Sequence, residues 1–177
     1  MSYGYGGPIS SLINGLAALL SLFASYFSPV TSRKVVVGPS LVNQLVSSGK
    51  LGTFVETYGS LSLHTEHCKL LHEEAQEALR RYMDKGLAEL TRADQETAEL
   101  SKVLRRRLSE EESLILAQVL SYGDSLAFLG SREAKSAAVA LGVRPLGYEE
   151  FVVEAYRRGL ISPSEAMHTL GRSLEVA

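Results

Sequence analysis

The sequence predicts an α/β domain: a short parallel sheet flanked by helices, preceded by an apolar helix and carrying a helical hairpin in its middle. Three observations lead there. Short apolar runs recur at Val35-Val36-Val37, Leu61-Ser62-Leu63, Ser125–Leu129 and Val143–Leu146. Longer stretches with helical spacing separate them, and strands alternating with helices build a parallel sheet. Glycine or proline marks the junctions, as at Gly38-Pro39, Gly49, Gly142 and Gly159, where helices start or stop.

Composition sets the frame. The 177 residues are 45% apolar and 21% charged, enough for one domain with a sizeable core. A net charge of −2 gives no global pull toward nucleic acid, so binding to a polyanion needs a local basic patch. The single cysteine, Cys68, excludes an internal disulfide framework and fits a reducing compartment. A cytoplasmic location is therefore expected.

Residues 1–8 are glycine-rich, and residues 9–27 carry no charge. Ile9, Leu12, Ile13, Leu16, Leu20, Phe23 and Phe27 fall on one side of a helix. Ser10, Ser11, Asn14, Ala17, Ser21, Ala24, Ser25 and Ser28 fall on the other. A water-facing helix would carry Lys or Glu there, so this small face is expected to pack on something. Two readings stand: a membrane anchor, since roughly 20 apolar residues cross a bilayer, with Arg33 and Lys34 on the cytoplasmic flank; or a helix that packs on the core or on a second protomer. A signal peptide fits less well, because no basic segment precedes the apolar run. Residues 1–31 form one region and 32–177 the domain proper.

Within the domain, Val35–Val37 is a strand and Pro39 opens a helix closed by Gly49. A second helix spans Leu51–Tyr58, a strand Leu61–Leu63, and Thr65 is a candidate N-cap. Residues 66–107 are polar, proline-free and rich in Glu, Lys, Arg, Ala and Leu. They predict helices over about 66–84 and 87–107, turning near Gly86. Ser109 caps the next helix, with Glu110, Glu111 and Glu112 in its first turn. Ser125–Leu129 is a strand, Ser131 caps a helix ending at Gly142, and Val143–Leu146 is the last strand. Tyr148–Arg158 and a helix opened by Ser162-Pro163 complete the chain.

The last third resembles the PIN domain, the metal-dependent nuclease fold of toxin ribonucleases and RNA-processing enzymes. The residues are Leu129-Gly-Ser-Arg-Glu-Ala-Lys-Ser-Ala-Ala-Val-Ala-Leu-Gly-Val143, then Pro145-Leu-Gly-Tyr148, then Glu154-Ala-Tyr-Arg-Arg-Gly-Leu-Ile161. Val35–Ser40 is similar to the family's first strand, and Glu110–Ala117 to its glutamate-bearing helix. The resemblance runs over about residues 33–174 and implies a three-layer PIN-like fold. It also implies carboxylates at the strand ends holding Mg²⁺ or Mn²⁺ for phosphodiester cleavage. This sequence departs from that pattern. Gly38 stands where the first strand ends in Asp, Gly130-Ser131 where an Asp pair is expected, and Tyr148 at the Thr or Ser of a Gly-Thr turn. Glu110 and Glu112 alone keep acidic positions, too few oxygen ligands for a hard divalent cation. No cofactor is expected unless the acidic site is rearranged, with Glu73, Glu74, Glu110 and Glu112 as its ligands.

Other clusters have ordinary readings. His64, Cys68 and His72 are spaced i, i+4, i+8, but with Thr65 as cap His64 falls outside the helix and no fourth ligand is evident. Arg105, Arg106 and Arg107, with Arg80-Arg81 and Arg157-Arg158, could touch phosphates, or pair with neighbouring glutamates. The expectation is a catalytically degenerate PIN-like protein used in binding or assembly. Its partners would be a second copy, through the apolar helix and the 66–107 hairpin, or RNA, or a membrane through residues 9–27. The alternatives are a divergent ribonuclease and a membrane-tethered scaffold.

Overall fold

Among the described residues, five parallel strands, lying in the order third, second, first, fourth, fifth along the chain, form a sheet with helices on both faces. The computed structural model describes residues 34–123 and 125–174; the expectations for residues 9–27 and for the 1–31 region lie outside them. In chain order the elements are β1 (Lys34–Val37), α1 (Pro39–Ser47), α2 (Leu51–Tyr58) and β2 (Ser60–His64), followed by a 3₁₀ turn (Thr65–Leu70). Then come α3 (Glu73–Asp84), β3 (Ala88–Thr91), α4 (Gln95–Leu104), α5 (Glu110–Tyr122), β4 (Leu126–Phe128) and α6 (Arg132–Ala140). β5 (Pro145–Leu146), α7 (Tyr148–Arg157) and α8 (Pro163–Leu174) follow.

The strand order explains the layering. Crossovers from β1 to β2 to β3 run one way along the sheet, and those from β3 to β4 to β5 run back the other way. Parallel crossovers are right-handed, so reversing direction moves the helices to the opposite face. On one face α5 and α6 close over Val36 and Ala127, neighbours in register on β1 and β4. Ile115, Leu116, Val119, Leu129, Ala134 and Ala138 complete that cluster, each almost wholly buried. On the other face Phe128 meets Phe54 of α2 at 5.8 Å between ring centroids, and Phe54 meets Phe151 of α7 at 5.2 Å. Burying such side chains contributes about 1.5–3 kcal/mol each, so both layers are held to the sheet by dispersion and dehydration.

The expected helical hairpin over 66–107 is replaced by a crossover with a strand in it. Ala88-Glu89-Leu90-Thr91 forms the edge strand β3, paired with β2 from Leu61↔Ala88 to His64↔Thr91. Ala, Glu and Leu favour helices in isolation, but here the open edge of β2 supplies a full ladder and outweighs that preference. Gly86, at φ +69, breaks the chain between α3 and β3. Asp94 restarts the helix: its carboxylate accepts the Thr97 N–H at 2.7 Å. α4 is therefore a short helix against α5, not the outer arm of a hairpin. The cap of the 3₁₀ turn is His64 rather than Thr65. Among the described residues, no helix is long and apolar enough to cross a membrane.

Candidate functional site

Reversal of strand order between β1 and β4 opens a crevice at the carboxyl ends of those strands, where open α/β sheets bind ligands. Gly38 ends β1 and caps α1. Gly130 and Ser131 follow β4, and Ser131 caps α6. The N-terminus of α5 projects into the same place. A cleft of about 270 Å³ results, lined among others by Gly38, Ser40, Ser109, Glu111, Glu112 and Gly130.

Two carboxylates occupy this cleft, and each accepts hydrogen bonds at both of its oxygens. Glu111 accepts the Ser40 backbone N–H at 3.1 Å and its hydroxyl at 2.6 Å. Glu112 accepts the Ser131 backbone N–H at 2.8 Å and its hydroxyl at 3.0 Å. The Ser109 hydroxyl also donates to Glu112 at 3.0 Å while accepting that residue's own N–H at 3.2 Å. Ser131 in turn caps its helix by accepting the Ala134 N–H at 3.1 Å. Three helix N-termini, those of α1, α5 and α6, thus meet two negative charges. Free N–H groups and the positive dipole ends favour carboxylates there. The glutamates act as caps supplied from a neighbouring helix.

Gly38 and Gly130 differ in why they lack a side chain. At Gly38 a Cβ would overlap the Glu111 carboxylate, with Cδ at 2.5 Å and Cγ at 2.6 Å. Its backbone, φ −100 and ψ 169, is ordinary extended chain, so the need is for space. At Gly130 the nearest atom to a Cβ is Glu112 Oε1 at 4.0 Å, which leaves room for a side chain.

The other candidates are scattered. Glu110 turns away from the cleft and pairs with Arg105 at 2.7 Å. The partner of Gly38 is Glu111, which the sequence reading passed over. Its signal was helical phase, since Glu111 and Glu112 lie one turn before Ile115 on the side of α5 that faces the sheet. Tyr148 opens α7 and stacks edge-on against Phe151 at 5.7 Å. Glu73 and Glu74 start α3, exposed, and do not line the cleft. Among the described residues, no group of three or more His, Cys, Asp or Glu side chains could hold a metal ion.

His64, Cys68 and His72 likewise fall on three elements: His64 ends β2, Cys68 lies in the 3₁₀ turn and His72 precedes α3 at its N-cap position without a side-chain capping bond. His64 is buried between two backbone N–H groups, Glu66 at 3.2 Å from Nδ1 and Ala93 at 2.9 Å from Nε2. A neutral imidazole offers one lone pair in its plane, so the shorter contact is the better bond, and a protonated ring could accept neither. Burial lowers the pKa of His64 below 6.5, with Glu66 opposing. Burial raises the Cys68 thiol pKa, with Arg80 opposing, so this thiol is a weak nucleophile.

Arg106 and Arg107 join Arg132 around a separate groove of about 890 Å³ floored by Val103, Leu104, Leu108 and Ala137. Among the described residues none of these three arginines makes a salt bridge. No protein-family model matches the chain, and no curated protein matches it.

Proposed function

We propose that this protein is a catalytically degenerate PIN-like module that works by binding rather than by cleavage. The observation that carries the reading is the engagement of Glu111 and Glu112 by Ser40, Ser109 and Ser131. A carboxylate that accepts hydrogen bonds at both oxygens and caps a helix has fewer lone pairs left, and less freedom to turn, for ligating Mg²⁺ or Mn²⁺. Such ions demand several oxygen donors, and this crevice offers two carboxylates in fixed structural roles.

Binding would run through Arg106, Arg107 and Arg132. Three arginines that make no salt bridge among the described residues, around one groove that also carries Glu133, suit a phosphate backbone, because arginine donates in a fork that matches phosphate oxygens. The test is fluorescence anisotropy with a labelled single-stranded RNA, run beside a cleavage assay in Mn²⁺. The expected result is salt-sensitive binding weakened by Arg106→Ala and Arg132→Ala, with the RNA recovered intact. Cleavage that EDTA and Glu112→Gln both abolish would establish the divergent ribonuclease instead. Self-association through residues 9–27 is the second assembly reading, and light scattering on the full chain tests it: a monomer excludes it.

A further inference from the structure

The groove that carries Arg106, Arg107 and Arg132 has an apolar floor that a phosphate backbone does not use. Val103, Leu104, Leu108 and Ala137 line it, and Val103 is 58% exposed. On α6, Arg132, Ser136 and Val139 fall at i, i+4 and i+7, on one side of the helix. That wall of the groove therefore runs on to a second exposed aliphatic side chain, since Val139 is 66% exposed. A single exposed valine is ordinary on a protein surface. Here the exposed valines adjoin three arginines around one groove.

Depth and charge together limit the occupant. Leu104, Leu108 and Ala137 pack from behind on a filled core that includes Ile115, Leu116 and Ala138. The floor therefore meets one side of whatever lies on it. An acyl chain is apolar all round and would keep much of its surface in water. An amphipathic helix has one apolar stripe to bury and a polar back to leave wet. Charge then sets the flanks of that stripe. Among the described residues, the three arginines of the lining stand against one carboxylate, Glu133. The neighbouring Arg105 and Glu110 offset each other at 2.7 Å. Arginine's fork matches a carboxylate as well as it matches a phosphate.

We propose that this groove docks an acidic amphipathic helix of a partner protein, its apolar stripe on Val103, Leu104 and Leu108 and its carboxylates on Arg106, Arg107 and Arg132. The helix and RNA then claim the same arginines, so the partner switches RNA binding off. That regulatory part rests on the RNA reading above, whereas the docking itself does not.

The experiment is fluorescence anisotropy on the full chain with four probes. The first is a labelled, helix-stapled peptide of about four turns, with Leu at i, i+3, i+4 and i+7 and Glu on both sides of that stripe. The second replaces each Glu by Lys, the third is laurate, and the fourth is labelled single-stranded RNA. The acidic peptide is expected to saturate one site and to displace RNA, and the Lys peptide to do neither. Burying a valine is worth about tenfold in affinity, so Val103→Ser should weaken the acidic peptide by about that factor and RNA by less than about threefold. Val103 is exposed, so this variant should melt with the parent, which separates lost binding from lost folding. Four results would each overturn the docking proposal: no saturable binding of the acidic peptide at millimolar concentration, equal binding of the Lys peptide, full peptide affinity in Val103→Ser, or displacement of RNA by laurate and not by the peptide. An RNA affinity that falls as far as the peptide's in Val103→Ser would assign the floor to nucleobases instead. RNA that does not bind the parent at all overturns the RNA reading and the switch, and direct peptide binding then tests the groove alone.

Discussion

Adding one methyl group at Gly38 should displace the Glu111 carboxylate. The Cβ of Gly38→Ala would fall where Glu111 Oε1 now sits, with Cγ at 2.6 Å. The backbone there is extended, so alanine adds no strain of its own. What is lost is the pair of bonds at 3.1 and 2.6 Å to Ser40, the cap of α1. Loss of a helix N-cap costs about 0.5–2 kcal/mol. This carboxylate is partly solvated, so about 1–2 kcal/mol is expected, a fall in Tm of about 3–6 °C for a domain of this size. Thermal denaturation followed by circular dichroism measures it. The decisive control is Glu111→Ala, which makes room for the methyl. In that background Gly38→Ala should be neutral, or stabilising by about 0.4–1 kcal/mol, because alanine restricts the unfolded chain. If the cost is absent in the parent, or persists unchanged beside Glu111→Ala, the carboxylate does not explain the glycine.

Gly130→Ala should be neutral within about 0.5 kcal/mol by the same assay, since the nearest atom to its Cβ is 4.0 Å away. Ser131→Ala removes both the cap on Ala134 and a donor to Glu112, and chemical denaturation should show a loss of about 1–2 kcal/mol. Burial holds the pKa of His64 and of His67 below 6.5 in the fold, with Glu66 opposing at His64 and Glu111 first among the groups opposing at His67. The unfolded chain therefore takes up protons first: stability should be full above pH 6.5 and fall as pH drops from there through the folded pKa values. Urea midpoints across that range should lose much of this slope in His64→Gln. Cys68, half-buried and with a raised thiol pKa, should react with iodoacetamide more slowly at neutral pH than a free cysteine, as mass spectrometry can time.

Much of the fold was legible because its signals are local. Val35–Val37, Gly38-Pro39, the Ser109 and Ser131 caps and the stop at Gly142 each announce an element without reference to any other. β3 was hidden because its identity is not local: Ala88-Glu89-Leu90-Thr91 has helical composition and becomes a strand only beside β2. The site was half legible. The glycine at the end of the first strand marked the place, but not that Glu111 fills the space beside it. Three consecutive glutamates look alike in sequence. The phase of α5 turns Glu110 to Arg105, Glu111 to Ser40 and Glu112 to Ser131. Likewise, that Arg106 and Arg107 make no salt bridge among the described residues depends on which neighbours are absent, which no pattern along the chain records.

The central claim is that Glu111 and Glu112 serve the fold rather than a metal. Calorimetric titration of the full chain with Mn²⁺, repeated on Glu112→Gln, tests it most directly. The account predicts no saturable binding at sub-millimolar Mn²⁺ in either protein, together with a lower Tm in Glu112→Gln. Stoichiometric Mn²⁺ binding that disappears in Glu112→Gln would contradict it.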